Sequence, residues 1–534
     1  MSFSSKILFL GMDAADKFLL QKWASDETLP TIRSIFDKGL VGDTISPVGF
    51  FIGSVWPSFY TGSSPANHGF HYLVQIEPGT YDFFRCNPDE FLKRQPFWNN
   101  LSQAGRKVAI LDIPLSFITK NLNGIQIVEW GSHDSVYNFC TEPNDFKKEV
   151  LSKFGSYPII NTCDSCARTQ KGFNNFKDLL IRGVEKKTDL TKYYLNQGSW
   201  DFFAQVFTES HCVGHQCWHL HDSSHPAHDP NTVAKIGNPL RDVYMAIDSA
   251  IQKILTQVDD NTIVIFLAGH GMNYFYGANF LLPKILIQLK FAQTIPTTNS
   301  RLKPLRANRL ETLLTDYWRK APPFIKTEFR PILYHLRNKI HGNEIYLPAS
   351  MAKIDRRKSR CFPVFNGNLV SGIRVNLKER EPEGQISIGN EFNNFYKELR
   401  QELLKIVDID YGKPIVKNVF KTIELYQGHY IDHLPDILIE WNDERPLGSN
   451  ALEISEGSTL RITSDSLGTI EGTNNYCRTG DHRPEGIFAI MGPGIKSRRL
   501  NRTVSIMDFA PTIAKLLSVD ITDVDGAFIP EIWA

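Results

Sequence analysis

Five short, uninterrupted apolar runs punctuate this chain, and each stops at a glycine or a polar residue. They are KILFLGMDAAD (6–16), KVAILDIP (107–114), IQIVEWGSHD (125–134), NTIVIFLAGHGM (261–272) and GIFAIMGPGI (486–495). Continuous apolar runs of this length, bounded by turn residues, mark strands covered on both faces. Between them lie segments with apolar residues three and four apart, such as LPTIRSIFDKG (29–39), DVYMAIDSAIQKILTQV (242–258) and SIMDFAPTIAKLLSV (505–519). Buried strands alternating with helices predict an α/β fold, a mostly parallel central sheet sandwiched by helices. In such sheets ligands collect beyond the carboxyl ends of the strands, and Asp13 and His270 both stand at such ends.

Composition removes several function classes. With 59 Lys+Arg against 58 Asp+Glu, the 534-residue chain carries no global field that would select a nucleic-acid polymer. No apolar run reaches the length of a membrane span, and Ile7–Leu10 is too short for a signal-peptide core, so a cytoplasmic location is expected. The eight cysteines are scattered; Cys163 and Cys166 form a single CxxC without the second pair a zinc knuckle needs. Residues 291–350 change texture: they are basic, broken by Pro304, Pro322, Pro323 and Pro331, and read as a helical insertion or cap. It would divide a core made of residues 1–290 and 351–534.

The histidines are concentrated. Six of the 15 lie in HCVGHQCWHLHDSSHPAHD (211–229). On a helix, residues four apart share a face, so His211 and His215 could grip one ion; His215 and His219 have the same spacing, and spacing alone does not choose. His219, His221, His225 and His228 are otherwise rim residues. His482 in RTGDHRPEG precedes another buried strand, and Arg483 beside it could hold a phosphate oxygen. His133 and Asp134 end a strand and could line the same mouth. In GFFIGSVWPSFYTGSSPANHG (49–69), Ser54 is the hydroxyl before a helix start, where a nearby ion and the helix end would favour an alkoxide. Ser58 is the second choice, and a site without a serine nucleophile is the third; His68 reads as a turn residue.

Together LFLGMDAAD, WPSFYTGSSPANHG, ESHCVGH, AGHGM, GDHRPEGIFAIMGPG and IMDFAPTIAKLLSV resemble the alkaline phosphatase superfamily, in its type I phosphodiesterase/nucleotide pyrophosphatase branch. IRVNLKEREPEG (373–384) and HLPDILIEW (433–441) are also similar to segments of such relatives. The resemblance implies an alkaline-phosphatase-like fold and two divalent ions, zinc by ligand type or else manganese, about 4 Å apart. One would be held by His211, His215 and His482, the other by Asp13, the nucleophile and His270. It implies hydrolysis of a phosphodiester or pyrophosphate bond in a small phosphorylated substrate through a serine phospho-enzyme.

Three departures qualify it. His211 stands where the family has aspartate. Gly269 replaces the aspartate before His270, which weakens the second ion site unless another carboxylate supports it. Counting back from Thr61-Gly62, the family's nucleophile falls on Ile52 rather than on Ser54. The alternatives are therefore a degenerate member that binds a phosphorylated ligand without turnover, or a sulfate-, phosphonate- or phosphosugar-acting relative.

Overall fold

In the computed structural model the described residues are 6–132, 136–159, 164, 166, 169–295, 347–449 and 457–533. Most of the basic segment 291–350, His133, Asp134 and Cys163 lie outside them.

The main sheet has ten strands: β1 (Lys6–Met12), β2 (Leu40–Ile45), β3 (Val108–Leu111), β4 (Gly124–Val128), β5 (Cys140–Glu142), β6 (Phe202–Phe207), β7 (Thr262–Ala268), β8 (Glu485–Met491), β9 (Arg498–Arg499) and β10 (Val504–Ser505). Their order is β9-β2-β8-β7-β1-β6-β3-β4-β5, with β10 also paired to β2. The five consecutive strands β7, β1, β6, β3 and β4 run parallel. Antiparallel partners flank them, β8 beside β7 and β5 beside β4. The α/β sandwich expected from the apolar runs is the fold observed.

Alternation within β1 explains why its run is unbroken. Ile7 and Phe9 enter one core, shared with Val206, Ile265 and Phe59; Leu8 and Leu10 enter the other, shared with Phe203, Phe266 and Tyr244. Neither face sees water, so neither tolerates a polar residue. The second core is closed by three packed helices, α2 (Gln170–Gln197), α3 (Glu209–His221) and α4 (Pro239–Leu255). On the other side α1 (Val55–Thr61) lies wholly buried.

Residues 361–473 add two four-stranded antiparallel sheets outside the main one. The segments 373–384 and 433–441 meet there. Arg374 and Glu381 form a fully buried ion pair at 2.8 Å, and Arg380 binds Asp436 at 2.7 Å. Their charges are spent on holding this sheet together.

Register sets up the site. Met12 lies opposite Phe207, and Gly11 lies opposite both Val206 and Leu267. Asp13, the start of α3 and His270 therefore leave the sheet side by side, although about 250 positions separate the first from the last.

Candidate metal centre

Helix α3 follows β6 after one residue, Thr208. It is buried from Glu209 to Leu220, so its histidines are held inside the protein. Two links fix its first turn. Ser210 donates to the carbonyl of Asp13 at 2.7 Å. Glu209 accepts the Tyr157 hydroxyl at 2.5 Å and lies 3.5 Å from the Lys187 ammonium, with both members of the ion pair fully buried.

The partner segment is a two-stranded ribbon in which Gly271–Tyr274 pairs with Gly480–Arg483 and Met272 faces His482. It brings His482 onto the α3 histidines. The ring centre of His482 lies 4.9 Å from those of both His211 and His215. One ligand nitrogen from each of the three lies within 4.8 Å of the others, the only such cluster among the described residues. The structure thus selects His211 and His215 over His215 and His219. His219 instead meets the Thr479 hydroxyl at 3.1 Å. His221 is bonded to Asn238 and His228 to the carbonyl of His219; His225 accepts the amide of Ala227.

The geometry fits a metal ion. His215 donates Nδ1–H to the carbonyl of Gly480 at 2.7 Å, which leaves Nε2 as its ligand atom. That Nε2 lies 3.2 Å from Nε2 of His211. Two nitrogens on a tetrahedral zinc at the usual bond length are about 3.3 Å apart. A buried cluster of three imidazoles offers neutral, borderline-soft donors and suits zinc better than manganese, which prefers oxygen ligands.

The cluster borders a cavity of about 270 Å³, lined by His211, His482, His270, Asp13, Trp56 and Ile52 among others. Beside the cluster, Asp13 lies 3.8 Å from Nε2 of His270, and His270 stacks on His482 at 4.9 Å. Trp56 donates its indole N–H to Asp13 at 2.7 Å. All five metal-ligand candidates from the sequence therefore lie at one site.

Ser54 is not brought there. It is completely buried and absent from the cavity lining, and its hydroxyl donates to the carbonyl of Phe70 at 2.9 Å. The loop before it is tightly packed. A Cβ on Gly53 would meet the carbonyl of His71 at 2.1 Å. Ser58 is also buried away from the cavity, 2.9 Å from Nε2 of His68. Nδ1 of His68 accepts the Phe70 amide at 3.2 Å, so Nε2 carries the proton and donates to Ser58. That tautomer cannot serve as a base for the serine. Burial holds the pKa of His68, and of neighbouring His71, down at about 3.

Asp481, which the sequence places with His482 in the RTGDHRPEG loop, lines the cavity, and so do Arg478 and Asn368, which are not among the sequence candidates. Arg478 pairs with Asp164 at 2.7 Å. Asn368 donates to Asp481 at 3.2 Å, and burial pushes Asp481 up to about 6. Proximity to His482 in the RTGDHRPEG motif was the available signal for Arg478; Asn368 had none. Arg483, expected on phosphate, pairs with Asp443 and packs over Tyr276 at 4.7 Å. Cys212 and Cys217 fill the core beside α3. Among the described residues, no helix is long and apolar enough to cross a membrane.

The sequence profile of the type I phosphodiesterase/nucleotide pyrophosphatase family matches residues 7–304, more than half of the chain. No curated protein sequence matches it. Among solved structures it is similar to human ectonucleotide pyrophosphatase/phosphodiesterase 5, at 12% identity over 98% of this chain and 97% of that one, with a TM-score of 0.48. It is also similar to phosphonoacetate hydrolase from Sinorhizobium meliloti, at 12% identity over 97% of this chain and 96% of that one, with a TM-score of 0.47. The chain belongs to the type I phosphodiesterase/nucleotide pyrophosphatase family of hydrolases.

Proposed function

We propose that the chain is a metal-dependent hydrolase of small phosphate esters, acting on a phosphodiester or pyrophosphate bond. The observation that carries this reading is the convergence of His211, His215 and His482, two of which, His211 and His482, line a cavity of about 270 Å³. A divalent ion held by these residues supplies positive charge to a phosphoryl oxygen and acidifies water.

The chain's own groups do the rest. The carbonyl of Gly480 holds the ring of His215 in the ligand orientation. Trp56 and Tyr72 narrow the cavity and limit bulk water. Arg478 puts a guanidinium on the wall for a second phosphate oxygen, positioned by Asp164. Asp13 and His270 adjoin the cluster on the same cavity lining. With Ser54 and Ser58 both committed elsewhere, we propose attack by water rather than through a serine phospho-enzyme.

The test is turnover of bis(p-nitrophenyl) phosphate by metal-loaded wild type and by His482→Ala. Turnover by the wild type that the variant loses supports the reading. A second reading, a protein that binds a phosphorylated ligand without turnover, is favoured by Ile52 at the position where the family carries its nucleophile. It wins if wild type binds AMP in calorimetry yet hydrolyses no diester or pyrophosphate.

A further inference from the structure

The two sides of the cavity differ in what they offer an ion. The cluster side presents three converging nitrogens. The Asp13/His270 side presents two groups, and the positions where further ligands would have to stand are filled with hydrocarbon or already bonded. A Cβ on Gly269 would meet Cδ1 of Ile506 at 2.9 Å and Cγ1 of Val55 at 3.3 Å, so a side chain at that position runs into packed apolar groups. The carbonyl of Gly269 already accepts the Ser46 hydroxyl at 3.0 Å. Ile52 presents a branched alkyl group to the cavity and packs over Gly367, whose added Cβ would lie 2.2 Å from Cδ1 of Ile52. The nearest hydroxyl, Ser54, is bonded to Phe70. Trp56 aims an N–H, the positive end of a dipole, at Asp13. That indole donor occupies one of the lone-pair directions of the Asp13 carboxylate, on Oδ1, and competes with a cation for it.

A zinc ion takes about four ligands, of which a structural or catalytic site draws at least three from protein. Two protein groups with apolar neighbours do not reach that number. The residues present therefore fit one ion of the family's pair and do not fit the other.

We infer that this chain is a one-ion member of a two-ion family: its only ion is held by His211, His215 and His482, and the second ion site has been replaced by Ile52, Val55, Ile506 and the Trp56–Asp13 hydrogen bond. Asp13 and His270 remain as protein walls of the cavity rather than as ligands. This inference rests on the metal-dependent reading above, but it concerns stoichiometry and is read without any substrate.

The experiment is metal content by inductively coupled plasma mass spectrometry, on full-length protein purified with zinc and dialysed. Wild type is expected to hold one ion per chain, His270→Ala one, and His211→Ala none. The triple variant Ile52→Thr/Gly269→Asp/Ile506→Ala reopens the second site and is expected to hold two, with circular dichroism reporting whether it folds. If it does not fold, the two single variants still decide the matter. Two ions in the wild type, or loss of the ion in His270→Ala, overturns the inference while leaving a metal-dependent hydrolase intact. A folded triple variant that stays at one ion overturns the assignment of the replacing residues. No ion in the wild type overturns both the inference and the metal-dependent reading.

Discussion

The histidine wall and the Ile52 wall border the same cavity, and both lie on a segment that leads from a strand into a helix. On the first, β6 runs into α3, and the helix is gripped so that two imidazoles one turn apart point at a third from the ribbon. On the second, the segment entering α1 turns its hydroxyls inward to the carbonyl of Phe70 and to His68, and gives the cavity an isoleucine. The secondary structure is alike; the chemistry is opposite. What separates them is where the polar atoms find partners. His215 spends one nitrogen on Gly480 and keeps the other for a ligand role. Ser54 has one donor, and the backbone takes it.

The contrast breaks most directly at His482. His482→Ala should cut kcat/KM for an aryl phosphodiester by about 10³-fold, roughly 4 kcal/mol of transition-state stabilisation, since it removes one of three ligands. Steady-state kinetics with saturating zinc would show it, and an unchanged rate would remove the histidine wall from the chemistry.

The support behind that wall comes next. Glu209→Gln takes the charge from a fully buried pair and leaves Lys187 with the carbonyl of Val206, the hydroxyl of Thr208 and the nearby Asp112 carboxylate. A loss of about 3 kcal/mol in urea unfolding is expected. Zinc affinity should weaken about tenfold as the first turn of α3 loosens. A variant as stable as wild type would mean that packing alone positions the helix.

The opposite wall has its own pH signature. His68 and His71 are neutral in the fold, with pKa near 3 against 6.5 when unfolded. Below 6.5 the unfolded chain takes up protons that the native chain refuses. Their contribution is fully present above pH 6.5 and is lost progressively as pH falls toward 3. Between pH 7 and 5 each should cost about 2 kcal/mol of stability. His68→Gln should flatten the slope of urea midpoint against pH, and an unaltered slope would place the acid sensitivity elsewhere.

Smallest is Ser54→Ala. Losing one hydrogen bond to Phe70 should cost about 1 kcal/mol of stability. Turnover should stay within about twofold, because water and not the hydroxyl attacks in our reading. Abolished turnover in a folded Ser54→Ala protein would restore the serine phospho-enzyme.

Much of this was legible in one dimension. Asp13 and His270 were found because a strand covered on both faces tolerates no polar residue until it ends, so the first one marks the sheet's edge. His211, His215 and His482 were found from helical spacing and a motif. Trp56, Ile506 and Asn368 were not, because each acts through a neighbour distant in sequence: Trp56 through Asp13, Ile506 through the space beside Gly269, Asn368 through Asp481. Arg483 was expected on a phosphate because it adjoins a ligand, but neighbours along a strand point to opposite faces.

By itself the sequence determined the layered α/β fold, the strand ends that carry the site and the residue types available there, because hydrophobic periodicity and burial are local and strong. Only the tertiary structure decided which histidine pair converges, where the hydroxyls of Ser54 and Ser58 point and that Ile506 fills the space beside Gly269. Those outcomes depend on how α3 is rotated against the ribbon and on which acceptor lies nearest each donor. The first is set by packing between segments hundreds of residues apart and the second by how the loop after α1 folds back on it, and no helix or strand periodicity encodes either.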